Sequence, residues 1–369
     1  MSEIKVNSIK GVGASAAAIT IDNSDGTCSL KASNITNENI LINPQFDICQ
    51  KQTAISSATT TSGTLTADMW YVNASGASYK TSRQNFTVGQ TDVPDNPKHY
   101  FRLEVTTANN NLYLAQFVED LTRLGGREVT LSYWVKGTNP AGGSGQVVVV
   151  QDFGSGGSTL TSTVVGNVTA TSTWTKKSFT FTVPSLTGKT LGSVSNVPDH
   201  NTQIRLFQIP STDTATTAFT LDFANIKLEY GDTATPCFRE NYGDTLRKCQ
   251  RYKYIIHLPN ADSYPSSAFV QSSSSGYIYW APVFPTSMRT HPSYTATATQ
   301  CNFLSQNSSI YFNWTEFSTY TSPSQHINRT ELHGMTLRAT VSNASVTDGA
   351  GGIIMSREDT GVLEFNAEL

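Results

Sequence analysis

Glu128-Val129-Thr130-Leu131-Ser132-Tyr133-Trp134-Val135-Lys136 is rich in β-branched and aromatic side chains and largely alternates apolar with polar residues. That pattern predicts a strand with one buried face. Working outward, similar runs recur at His99–Thr106, Gln146–Phe153, Thr175–Val183, Thr202–Gln208, Phe219–Glu229, Gly276–Val283 and Met335–Val341. Clusters of Gly, Pro, Asn and Ser punctuate them. Many short strands at regular spacing predict sandwiches or barrels rather than βαβ units. Helical periodicity is nearly absent. Leu112–Leu124 is open between a helix and a strand entering a turn, and Thr245–Tyr252 is long enough for one or two helical turns.

The composition agrees. Of 369 residues, 14% are charged, against roughly a quarter in an average soluble domain, and Ser, Thr, Asn and Gly take their place. Lys+Arg 25 against Asp+Glu 28 gives a net charge of −3, which argues against a basic nucleic-acid surface and a basic membrane-docking face. No apolar run approaches the ~20 residues that cross a bilayer. Five cysteines without a CxxC pair point to free thiols rather than a disulfide scaffold or a zinc site. No repeat of 20–50 residues suggests a solenoid.

The chain divides by composition into 1–38, polar and too small for a core, with one plausible strand at Ala18–Ile21; 39–231, continuous strands; 232–248, a connector; and 249–369, a tyrosine-rich β region. The expected fold class is all-β: a jelly-roll sandwich, then a second C-terminal β domain, with a short N-terminal anchoring segment.

Several phrases carry a family likeness. Asn39-Ile40-Leu41-Ile42-Asn43-Pro44-Gln45-Phe46-Asp47-Ile48-Cys49-Gln50-Lys51 resembles the opening of the carbohydrate-binding-module-like jelly rolls of tailed-phage tail proteins. Thr66-Ala67-Asp68-Met69-Trp70-Tyr71 matches their second phrase, with Met69 where Arg is usual. Gln116-Phe117-Val118-Glu119-Asp120, followed by Leu124-Gly125-Gly126-Arg127 and the strand quoted first, is similar to their centre. Ala224–Gly231 resembles their close, Cys249-Gln250-Arg251-Tyr252 the start of their distal region, and Met288–Pro292 with Phe365–Leu369 their tail phrases. Met1–Gly11 resembles the start of marine-phage virion proteins.

The likeness implies a tail fibre or related virion surface protein, assembled in the host cytoplasm and located in the virion tail. Residues 1–38 would dock on tail or other virion proteins, and the chain would form a homotrimer. It would attach to host-surface polysaccharide without catalysis. A purely structural head fibre, decoration protein or tail connector is the alternative, and a glycan depolymerase spike a second. Neither nucleic acid nor membrane insertion is expected.

Sugar rings stack on aromatic faces while amides and carboxylates meet the hydroxyls. Within the module Tyr71, Tyr79, Tyr100, Tyr113 and Tyr133 are available; in the second region Tyr277, Tyr279 and Tyr311 stand out among Tyr252, Tyr254, Tyr294 and others. Tyr71, Tyr79, Tyr113, Tyr277, Tyr279 and Tyr311 are the glycan-binding candidates, and the distal region the favoured contact surface. Trp70, Trp134 and Trp174 read as core. The resemblance further implies a structural calcium, with Asp47, Asp222 and a carbonyl near Asn43 as its oxygens. No other cofactor is expected. Glu119-Asp120 and Glu358-Asp359 are adjacent pairs whose side chains would diverge on a strand, poor geometry for a glycosidase. The six histidines show no metal-ligand spacing, and there is no GxSxG.

Overall fold

The computed structural model describes residues 8–9, 19–21, 24, 28–30, 38–52, 54–58, 67–74, 77–107, 112–139, 145–194, 197–210, 217–258, 266–272, 277–296, 301–305, 308–312, 318–319, 334, 337–340, 351–356 and 361–368. Eleven strands build its centre: β1 (Ala54–Ala58), β2 (Tyr71–Asn73), β3 (Ser78–Asn85), β4 (His99–Thr107), β5 (Tyr113–Glu119), β6 (Glu128–Gly137), β7 (Gly145–Asp152), β8 (Thr161–Val168), β9 (Thr175–Thr182), β10 (Asn201–Gln208) and β11 (Phe219–Tyr230). They form a five-stranded sheet of order β8-β7-β10-β5-β2 and a six-stranded sheet of order β9-β6-β11-β4-β3-β1. All pairings are antiparallel. Successive strands cross repeatedly from one sheet to the other, as jelly rolls do. The expected all-β sandwich is what the chain adopts.

One face of each sheet meets the other in a single core. Leu103 and Val105 of β4, Leu131 and Tyr133 of β6, Val147 and Val149 of β7, Ile204 of β10 and Phe223 of β11 all lie inside it. Tyr133 is therefore core rather than surface, and its hydroxyl donates to the Leu206 carbonyl at 2.8 Å. Trp70 is fully buried with its indole N–H on the Asn43 carbonyl at 2.8 Å, beside Phe46 at a ring separation of 5.4 Å. Trp134 and Trp174, expected in the core, are half-buried on the outer side instead. On β6, Trp134 has the parity of Ser132 and Lys136, opposite to Tyr133.

The opening phrase is not a strand, so side chains satisfy its backbone. Asn39 donates to the Ile226 carbonyl at 2.8 Å and accepts from the Leu228 N–H at 3.1 Å. Gln116 accepts from the Ile42 N–H at 2.6 Å and returns a bond to its carbonyl at 2.8 Å. Asn43, in the left-handed region at φ 55°, bonds Ile48 through both ends of its amide and reaches the Asp68 carbonyl. Asn tolerates that backbone better than most residues.

Leu112–Leu124 resolves into strand β5 and a short 3-10 turn, Leu121–Arg123, capped by Asp120. Helix α1, Tyr242–Gln250, begins at Asn241, whose side chain accepts from the Gly243 N–H. Beyond it, Lys253–Leu258, Gly361–Asn366 and Ser293–Ala296 pair as one sheet. A seven-stranded sheet runs Ser308–Phe312, Cys301–Ser305, Gly351–Ser356, Ser266–Ser272, Tyr277–Trp280, Leu337–Thr340, Ser318–Thr319. Near the N-terminus Ser8–Ile9, Ile19–Ile21 and Cys28–Leu30 form a small sheet. Arg289 reaches the Ala367 and Glu368 carbonyls at 2.8 and 3.0 Å, tying together the two tail phrases.

Among the described residues no helix is long and apolar enough to cross a membrane. Cys49, Cys237 and Cys249 are free thiols; burial pushes the first two up to about 12.

Candidate functional site

Strand parity and register place a grid of side chains on the outer face of the five-stranded sheet. Gln146, Gln208, Tyr113 and Asn73 make one row; Val148, Arg205, Ala115 and Tyr71 the next; Val150, Gln203 and Phe117 a third; Asp152, Asn201 and Glu119 the last. The floor is buried, with Val150 and Ala115 at 0% exposure, while Tyr71, Tyr113, Phe117 and Arg205 stand half-buried around it. The Tyr71 ring lies 6.2 Å from Tyr113 and 5.2 Å, edge-on, from Phe117. The Tyr113 hydroxyl accepts from the Asn73 amide at 3.0 Å.

A bulge in β10 makes this arrangement. The register slips between Arg205 and Phe207, so Leu206 and Phe207 both enter the core while Arg205 and Gln208 both face outward. The Arg205 guanidinium then stacks on Tyr113 with its carbon 3.8 Å from the ring centroid. It donates to Gln203 at 2.7 and 3.2 Å and to Gln208 at 2.9 Å.

Of the expected ligand contacts, Tyr71 and Tyr113 come together here. Tyr79 does not join them: it is 1% exposed, inside the sandwich core on β3, with no ring face for a sugar. Tyr279 is likewise buried, at 5%; its neighbour Trp280 is buried too, so both faces of the central strand Tyr277–Trp280 are covered. The side chains of Tyr277 and Tyr311 lie outside the described residues. Tyr252 is buried, and Tyr254 and Tyr294 pack on Phe365 at 6.1 and 5.5 Å. The described distal tyrosines thus serve packing.

Tyr100 sits on the opposite sheet with Phe86 at 4.9 Å and Trp174 at 5.5 Å. The Lys136 ammonium caps Trp174 at 5.0 Å and Arg102 lies 5.8 Å from the Tyr100 centroid, so cations already occupy these ring faces.

The residues expected to hold calcium do not fit it. Both oxygens of Asp222 accept from Arg102 at 2.8 Å, with Lys136 at 3.8 Å. Asp47 accepts from Arg239 at 2.9 Å and bonds His99 at 2.8 Å. The Asn43 carbonyl already takes the Phe46 N–H and the Trp70 indole. Calcium needs six to eight oxygens, and these already face donors. Among the described residues no group of three His, Cys, Asp or Glu could hold a metal.

Glu119 accepts from Arg251 at 2.9 Å and from the Tyr252 hydroxyl at 2.8 Å, and Asp120 caps a turn. Phe117, Gln203, Arg205 and Gln208 escaped the sequence reading. Odd parity in Thr202–Gln208 could have paired Gln203 with Arg205, but only the bulge brings Gln208 to the same side.

The chain matches no family model and no curated protein. Solved structures similar in part include the enzymatically active domain of bacteriophage CBA120 tailspike protein 4, 15% identical over 52% of this chain and 21% of that one, at a TM-score of 0.28. The CBM22-1 xylan-binding domain of Paenibacillus barcinonensis Xyn10C is 12% identical over 50% of this chain and 99% of that one, also at 0.28. The N-terminal cellulose-binding domain of Cellulomonas fimi beta-1,4-glucanase C is 15% identical over 42% and 90%, at 0.26. At these scores no family is assigned, and the fold rests on the strand order itself.

Proposed function

We propose that the outer face of the five-stranded sheet binds a glycan without cleaving it, and that the chain is a virion surface protein of the tail-fibre kind, attaching to host polysaccharide as a homotrimer through repeated weak contacts. The observation that carries the reading is the grid itself: two tyrosines and a phenylalanine interleaved with amides over an apolar floor. Rings with few rotamers supply area for sugar faces, and Asn73, Gln203 and Gln208 supply partners for hydroxyls.

Non-catalytic action is supported by the carboxylates of this face. Glu119 is held by Arg251 and Tyr252, and Asp152 accepts from the Gly154 N–H at 3.0 Å. Neither is poised as a free acid opposite a free base. Residues 1–38 would supply the particle contact.

Tyr71→Ala tests the site. On a glycan array probed with the full chain, the wild type should bind at least one glycan class, and the variant should lose about tenfold in affinity, the ~1–1.5 kcal/mol of one stacking contact. Array signals that are absent for the wild type favour the purely structural reading, and signals equal for the two proteins overturn this face as the binding site. In the structural reading the sandwich is particle cement. A fall in polysaccharide viscosity would favour the depolymerase.

A further inference from the structure

Arg205 is a cation without a counter-charge. All of its recorded hydrogen bonds go to neutral amide oxygens, those of Gln203 and Gln208, and one face of its plane rests on Tyr113. Among the described residues no carboxylate pairs with it. Arg102, Arg239 and Arg251, by contrast, each meet an acid. The acids of its own face, Glu119 and Asp152, lie two rows away, on the order of 13 Å along the strand at ~3.4 Å per residue. Both are engaged there by other donors.

Holding such a group half-buried has a cost. Loss of hydration pulls the Arg205 guanidinium below the ordinary arginine value. The stem is fixed by the bulge, the ring of Tyr113 holds the plane, and two glutamine oxygens hold the fork. A guanidinium carries five N–H groups, so donors remain beyond the three bonds it makes.

We propose that the glycan taken by this face is acidic, with a sugar carboxylate pairing to the free N–H groups of Arg205. The inference rests on the glycan-binding reading above and names its ligand class. A planar two-oxygen anion matches the planar fork, and a partly dehydrated cation gains more from it than a solvated one would. A neutral sugar would leave the cation uncompensated. The net charge of −3 gives no general attraction for polyanions, so a preference for acid has to come from a local group.

The experiment measures full-chain binding to three soluble polymers of similar length: alginate as a polyuronate, dextran as a neutral glycan and dextran sulfate as a sulfate ester. Wild type, Arg205→Gln, Arg205→Lys and Tyr71→Ala are compared at two salt concentrations. Alginate should bind at least about tenfold tighter than dextran, and more weakly at high salt. Arg205→Gln should erase that preference, and Arg205→Lys should lose most of it because the fork is gone. Tyr71→Ala should weaken alginate binding without abolishing the preference. Competition of wild-type binding by free glucuronate but not by glucose supports the same conclusion with no variant at all. Equal binding of neutral and acidic polymers, unchanged in Arg205→Gln, overturns the acidic ligand while leaving the glycan site standing. Tight binding of dextran sulfate without alginate overturns the carboxylate. No binding of any polymer overturns the glycan reading itself.

Discussion

Asp47 shows how a residue that resembles a metal ligand can be something else. Burial pushes its carboxyl upward, but bonds from His99 and Arg239 more than offset this and hold it below the usual carboxylate range. A carboxyl lowered on folding stabilises the protein above its unfolded value, and that contribution fades as pH falls through the folded one. Asp47→Asn should therefore cost about 1–2 kcal/mol near neutrality, and the loss should shrink below pH ~4, as read by urea denaturation across pH. A constant penalty from pH 7 to pH 3 would contradict the ion-pair account, and a calcium-dependent midpoint in the wild type would revive the metal. The sequence offered Asp47, Asp222 and Asn43 as oxygens. It could not show that Arg102, Arg239 and the Trp70 indole reach them first, because each arrives from a different strand or loop.

Strand β11 carries a buried pair. Lys227 and Glu229, 1% and 0% exposed, lie 3.3 Å apart under the segment after β11. Thr235 caps both, accepting from Lys227 at 2.5 Å and donating to Glu229 through its N–H at 2.8 Å. Lys227→Met leaves a carboxylate buried without its partner and should cost about 3 kcal/mol or more, while Lys227→Met with Glu229→Gln should recover a good part of that. Denaturant midpoints for the three variants decide it; additive losses would mean the two groups do not act together. At this scale most of the architecture was legible, since β4, β6, β7, β9, β10 and β11 fall within a residue or two of their expected ranges. The burial of Tyr79 and Tyr279 was not. Alternation assigns residues to two faces but does not say which face another sheet will cover, and for Tyr279 and Trp280 both are covered.

Across the whole molecule, a charge network joins the sandwich's opening segment to the strands beyond α1. Lys253 lies 3.3 Å from both Glu364 and Glu368, Lys51 lies 2.6 Å from Glu364, and Gln50 bonds Asp68 and the Lys253 carbonyl. Burial works against the Lys253 ammonium, yet Glu368, Glu364 and Asp68 leave it above the ordinary lysine range. Its contribution is complete at neutral pH and fades only as pH rises through that raised value. Burial raises Asp68 and Glu368, so their ionised forms cost stability that returns as pH falls through their folded values. Lys253→Met should lower the melting temperature by several degrees at pH 7, and the deficit should narrow on acidification, as the neighbouring carboxyls take up protons and no longer need the cation. Glu364, held low by Lys51 and Lys253 despite burial, contributes to the same narrowing as it takes up a proton, so a deficit that stays constant or widens on acidification would show that Lys253 does not act through these carboxyls.

Asn39 and Ile226 are joined across 187 positions. On a ribosome the first clasp of the sandwich is made long before its counterpart is synthesised. The apolar Ile40-Leu41-Ile42 run must therefore wait in the open until β11 has left the exit tunnel. Nascent chains halted before Phe219 should accordingly depend on chaperones, and those released after Tyr230 should not.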